Sequence, residues 1–190
     1  MKDKKIQSIS NKYKCYLIGA IEKTGDEGVG KEWRESITPK LTSRDIFVFD
    51  PIKLEGEKMN LSSDEFLKKI DGYKRSGKWE LFMEAMNAVW LGVDYLNNNK
   101  LKHLLGDRDY VYHSDFLIGY LAENDELGGT IYECGMARDA GIPIYLVTRT
   151  RKTDINSSLL WLILSSGGDL FRSFSSMLDF LDGKYNLRRA

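Results

Sequence analysis

Apolar residues fall along this chain in short continuous runs, separated by longer stretches where they recur every three or four positions. Lys14–Ile21 is an apolar run interrupted only by a late glycine, which predicts a buried strand. Glu22–Gly30 carries three glycines and four charges and predicts a loop. Trp33, Ile37 and Leu41 then recur at helical spacing, predicting a helix over Lys31–Leu41. Ile46–Pro51 predicts a second strand, stopped by its proline. From Lys53 to Asn99 the pattern becomes charged, aromatic and helical. Ser62-Ser63-Asp64 marks a helix start, and Trp79, Leu81, Phe82, Met86, Val89, Trp90, Val93 and Leu96 form an apolar stripe ended by Asn97-Asn98-Asn99. Such a stripe is read as a packing face. Leu101–His113 is partly helical around Gly106. Asp115–Leu121 is a third strand, a glycine turn and helix follow at Gly128–Ala137, and Pro143–Val147 is a fourth strand. Arg149–Asp154 is a basic loop, Ser157–Leu164 a helix, Leu170-Phe171 a short fifth strand and Ser173–Leu181 a last helix.

Strands alternating with helices imply a parallel sheet with right-handed crossovers. The expected fold is therefore α/β, a flavodoxin/Rossmann-like parallel sheet of about five strands flanked by helices. The 190 residues suit one domain, 1–190, with 53–100 as a helical insertion packed on the sheet or on a second subunit.

Composition narrows the function classes. Lys+Arg and Asp+Glu both number 28, so the formal net charge is zero, which argues against a general nucleic-acid binder. The basic run from Lys2 to Lys14 reads as a solvated arm. No signal peptide and no apolar run of membrane length is visible. The two cysteines, Cys15 and Cys134, are expected to be reduced thiols in a cytoplasmic protein. The two histidines, His103 and His113, fit no ligand spacing, so neither a metal nor another cofactor is expected.

The chemistry concentrates in Gly128-Gly129-Thr130-Ile131-Tyr132-Glu133, which leads through a helix into the Pro143–Val147 strand. A carboxylate at the mouth of a strand-turn-helix unit sits where ligands bind in open parallel sheets. The helix dipole there favours its ionised form, and an ionised, positioned carboxylate can act as a nucleophile. Thr130-x-x-Glu133 equally matches a capping box, in which both side chains serve backbone amides. A second motif, Gly25–Lys31, matches the phosphate-loop pattern G-x-x-x-x-G-K, but Glu32 stands where a magnesium-binding Ser or Thr is required. A nucleotide kinase or triphosphatase is the reading that this motif would support. A glycine loop closing over a small ligand above the first strand is the alternative.

Together these landmarks resemble the nucleoside 2-deoxyribosyltransferase family, which includes 2'-deoxynucleotide N-glycosidases. Tyr16-Leu17-Ile18-Gly19-Ala20-Ile21 resembles the family's opening Y-L-A-G-P, and Phe49-Asp50-Pro51 its second strand ending in D-P. Gly106-Asp107, Val111 and Ser114-Asp115 resemble D-L-x-x-I-x-x-x-D. Gly129–Ala137 with Gly141-Ile142-Pro143 resembles G-T-x-x-E-x-G-x-A and the later G-K-P. Ala20, Arg108 and Ile142 depart from that pattern, and 53–100 has no counterpart in the compact members.

The resemblance implies cleavage of the N-glycosidic bond of a 2'-deoxynucleoside or its 5'-monophosphate. Glu133 would be the nucleophile, Asp107 would protonate the leaving base, with Asp109 as competing acid, and Tyr16 would orient Glu133. Gly19, Ala20, Ile21, Trp33, Asp50, Gly128, Gly129 and Thr130 would contact the substrate, and the amides of Gly128-Gly129 could receive a phosphate. The expected partner is a small-molecule deoxynucleoside or deoxynucleotide, with no nucleic acid, no membrane and assembly as a homo-oligomer. Nucleoside against nucleotide, and transfer against hydrolysis, stay open. A non-catalytic nucleotide sensor of the same fold is the alternative from a different class.

Overall fold

The computed structural model of the chain describes residues 11–19, 29–54, 63–92, 105–122 and 128–187. They form two compact units: Asp50–Tyr110 on one side of the division, Ser10–Phe49 with Val111–Ala190 on the other.

The second unit holds the whole sheet. Its strands are β1 (Tyr13–Ile18), β2 (Ile46–Phe49), β3 (Phe116–Leu121), β4 (Ile144–Thr148) and β5 (Asp169–Phe171). They pair in the order β2-β1-β3-β4-β5, all parallel. The central strands are buried along almost their whole length, which is why they read as continuous apolar runs rather than as alternation. The sheet unit also carries helices α1 (Val29–Thr42), α5 (Gly128–Asp139), α6 (Ser157–Ser165) and α7 (Phe174–Tyr185). The α/β parallel-sheet expectation is met. No helix among the described residues is long and apolar enough to cross a membrane.

Alternation along β1 sends Cys15 and Leu17 to one face and Tyr16 and Ile18 to the other. On the first face, Cys15, Leu17, Phe116, Ile118, Tyr145 and Val147 pack with Trp33, Ile37 and Leu41 of α1 and with Met177, Leu178 and Leu181 of α7. Arg44 locks this side. Its Nε and Nη2 grip both carboxylate oxygens of Asp182 at 2.7 and 3.0 Å, and its Nη1 donates to the Lys40 carbonyl. On the other face α5 and α6 pack together and against β4. Gly119 lets that face pack closely: an added Cβ would lie 2.6 Å from Leu146 Cδ1 and 2.9 Å from Ile18 Cγ1, so those side chains would have to shift.

In the unit Asp50–Tyr110, α2 (Ser63–Arg75) and α3 (Trp79–Leu91) pack through Phe66, Ile70, Ala85 and Val89. Trp79 and Leu81 are exposed, contrary to the packing expected of the whole stripe. Trp79 keeps the spacing, with its ring 6.4 Å from that of Phe82, but is the first residue of α3, whereas Leu81 lies about 100° round the helix from Phe82. The helix stops at Leu91 because Gly92 turns into the left-handed region, φ 63°. Val93 and Leu96, expected to extend the stripe, lie outside the described residues. So do Leu101–Leu104. Within Leu101–His113 the helix is confined to α4 (Asp107–Tyr112).

Two strands are shorter than expected. β1 ends at Ile18, and Gly19 bends the chain at φ 144°. β2 ends at Phe49 and residues 51–54 turn into a helical segment, so Pro51 opens a helix rather than closing a strand.

Candidate active site

Tyr16 and Glu133 meet on the α5 side of the sheet. The Tyr16 hydroxyl donates to Glu133 Oε1 at 2.9 Å. Tyr16 is fully buried and Glu133 is 6% exposed. The strand pair explains the placement: Tyr16 lies between Phe49 of β2 and Leu117 of β3, and its side chain points to the face that α5 covers. Thr130, Glu133 and Ala137 fall at helical spacing on the buried side of α5. A carboxylate buried this deeply is costly without a donor, and the phenol supplies one.

The position of Glu133 differs from both local readings of its motif. The α-helix begins at Gly128, so Thr130 is its third residue and Glu133 its sixth. The pair is therefore not a capping box. Nor does the dipole hold the carboxylate, since that effect fades beyond the first turn. Gly128 and Gly129 form the exposed first turn, not a turn preceding the helix, while Thr130 is buried. Their amides are among the groups a helix leaves without internal partners.

Cys134 beside Glu133 is no nucleophile. Burial pushes its thiol well above the usual range, and the adjacent Glu133 charge pushes it further. Cys15 is likewise raised, first by burial and then by Asp115.

At the end of β1, Gly19 adopts a backbone geometry that side chains resist. A Cβ there would meet the Tyr120 carbonyl at 3.0 Å and Trp33 Cζ2 at 3.4 Å. Trp33 is a core residue, stacked on Phe174 at 5.7 Å and tilted against Tyr120 at 6.2 Å. Arg34, next to it, was not among the expected site residues. It is 1% exposed and its Nη2 donates to the Gly19 carbonyl at 3.0 Å. A sequence signal existed: Arg34 stands three residues before Ile37 and seven before Leu41, on the apolar side of the helix.

Asp50, Asp107 and Asp109 belong to the other unit. Asp50 is buried, and its Oδ1 accepts the Ile52 amide at 3.1 Å, a turn-capping bond at the end of β2. Asp107 opens α4 and is 2% exposed. Asp109, at the third helical position, accepts the Gly106 amide at 2.9 Å, the reciprocal half of a capping box. Ala20 and Ile21 lie outside the described residues, as do Gly25–Gly28 of the phosphate-loop motif. Lys31 lies in the first turn of α1. Among the described residues no three His, Cys, Asp or Glu side chains group to hold a metal ion.

No protein-family model matches the chain, and no curated protein matches it.

Proposed function

We propose that this protein cleaves the N-glycosidic bond of 2'-deoxynucleosides or their 5'-monophosphates, with Glu133 as nucleophile. A Glu133 oxygen bonds to the anomeric carbon as the bond from that carbon to the base nitrogen breaks. Asp107 gives its proton to the departing nitrogen, since a base leaves poorly as an anion. Asp107 then takes a proton from water or from an acceptor base, which attacks the same carbon and frees Glu133. Two displacements retain configuration, and the flanking carboxylate stabilises the oxocarbenium-like state of each.

The observation that carries this reading is the buried Tyr16–Glu133 hydrogen bond. It gives a carboxylate a fixed direction beside β1, an interior strand of the sheet. β1 and β3 neighbour each other while the chain leaves them towards opposite edges, which is the switch point where open α/β sheets bind ligands. The family resemblance assigns the acid to Asp107, and Asp109, whose carboxylate accepts the Gly106 amide, is the competing candidate.

The test is to incubate the protein with purine and pyrimidine deoxynucleosides and their 5'-monophosphates, with and without an acceptor base. Free base without acceptor indicates hydrolysis, and a new nucleoside with acceptor indicates transfer. No base release from any substrate rejects the reading and favours a binding role.

A further inference from the structure

We propose that Arg34 is a positioning residue for the Glu133 site, holding the ligand end of β1 through the Gly19 carbonyl; this rests on the functional reading above. A guanidinium stays ionised at any ordinary pH, so burying one is expensive and calls for a specific arrangement around it. Arg34 has that arrangement. Its Nη2 donates to the Gly19 carbonyl at 3.0 Å, and its guanidinium carbon lies 4.5 Å from the centre of the Trp33 ring. Trp33 is itself clamped by Phe174 and Tyr120.

The point being held is unusual. Ile18 still pairs with Gly119 of β3, and Gly19 is the next residue, at φ 144°. A Cβ there would stand 3.0 Å from the Tyr120 carbonyl, so a side chain is strained by both contact and backbone. Gly19 therefore cannot anchor itself by packing, and its orientation depends on what grips its backbone. Arg34 and Trp33, consecutive residues of α1, supply that grip. Three residues earlier the same strand carries Tyr16 to Glu133. Arg34 thus fixes the end of β1 against which a substrate at Glu133 must be seated. Such an effect is felt in the transition state more than in ground-state binding, because small misplacements of reacting atoms cost rate steeply.

Three variants decide it: Arg34→Met, which keeps length without charge or donors, Arg34→Lys, and Asp107→Asn for comparison. Base release from ordinary deoxynucleosides and from one with a good leaving group is measured below each variant's melting temperature. Arg34→Met is expected to lower kcat about tenfold or more with KM changed less than about threefold. The loss should be equal for both substrate types, unlike that of Asp107→Asn. Arg34→Lys, which keeps charge and a donor but not the planar fork, should fall about threefold below the parent. A folded Arg34→Met at parental kcat overturns the proposal, as does a rise in KM alone. If Arg34→Met does not fold, Arg34→Lys decides: reduced kcat at parental melting temperature supports positioning, and parental kcat reduces the residue to a structural role. A parent protein that releases no base fails the functional reading itself, a result distinct from an active parent indifferent to Arg34.

Discussion

The Tyr16 hydroxyl is one of the groups that hold Glu133. Removing it in Tyr16→Phe leaves a buried carboxylate short of a donor, and a hydrogen bond to a charged group contributes about 1.5–3 kcal/mol. If that bond serves the transition state, base release should fall about ten- to a hundredfold. Thermal melts and steady-state kinetics check both. The two aspartates of α4 separate by the same logic. Asp109→Ala should cost about 0.5–2 kcal/mol through the lost cap while turnover persists. Asp107→Asn should slow ordinary substrates strongly and spare one with a good leaving group. Parental turnover of ordinary substrates by Asp107→Asn would remove it as the acid. The Tyr16–Glu133 pair was implied by the family resemblance of the Tyr16–Ile21 and Gly129–Ala137 motifs, while alternation along the strand said only that Tyr16 faces away from Cys15 and Leu17. Arg34 was not legible, because an arginine in a helix is normally read as a solvated side chain and only its register against Ile37 and Leu41 marks it as inward-facing.

Element order along the chain was readable where apolar runs were continuous, and the strands of the sheet follow that order. Boundaries were less so. The cap at Asp50 turns the chain before Pro51, which no pattern of apolar residues records. α5 starts at Gly128 although two glycines usually signal a turn, since α5 draws its stability from the buried face carrying Thr130, Cys134 and Ala137. Gly106 shows the same dependence on contacts unseen in sequence. A Cβ at Gly106 would collide with the Trp90 carbonyl and lie 2.5 Å from the Gly92 nitrogen, where α3 ends. Gly106→Ala should therefore destabilise the chain by about 1–3 kcal/mol, read from denaturant midpoints. A midpoint unchanged from the parent would mean that α3 and Gly106 part readily.

Across the whole molecule, the sheet order puts the Tyr16–Glu133 pair beside β1, an interior strand, rather than at an edge. It also buries two thiols whose titration should be visible in stability. Cys15 and Cys134 are both raised above their ordinary 9.0, mainly by burial. The folded state keeps these protons while the unfolded state loses them. Stability is therefore full below pH 9.0 and falls as pH climbs from there towards the folded values. Each thiol contributes a slope of up to about 1.4 kcal/mol per pH unit. Cys134→Ala should reduce that slope whatever it does to the stability at neutral pH. An unchanged slope would contradict the raised thiol. The proposed reaction contains no step that draws on a metal, so base release should persist in a chelator.

The most direct test of the account compares the parent with Glu133→Gln on deoxynucleosides and their 5'-monophosphates, following free base, with circular dichroism to establish that the variant is folded. The side chain keeps its size and can still accept from Tyr16, but it loses the nucleophilic charge. The account predicts base release by the parent and none by the folded variant. A folded Glu133→Gln that releases base at the parental rate would contradict it.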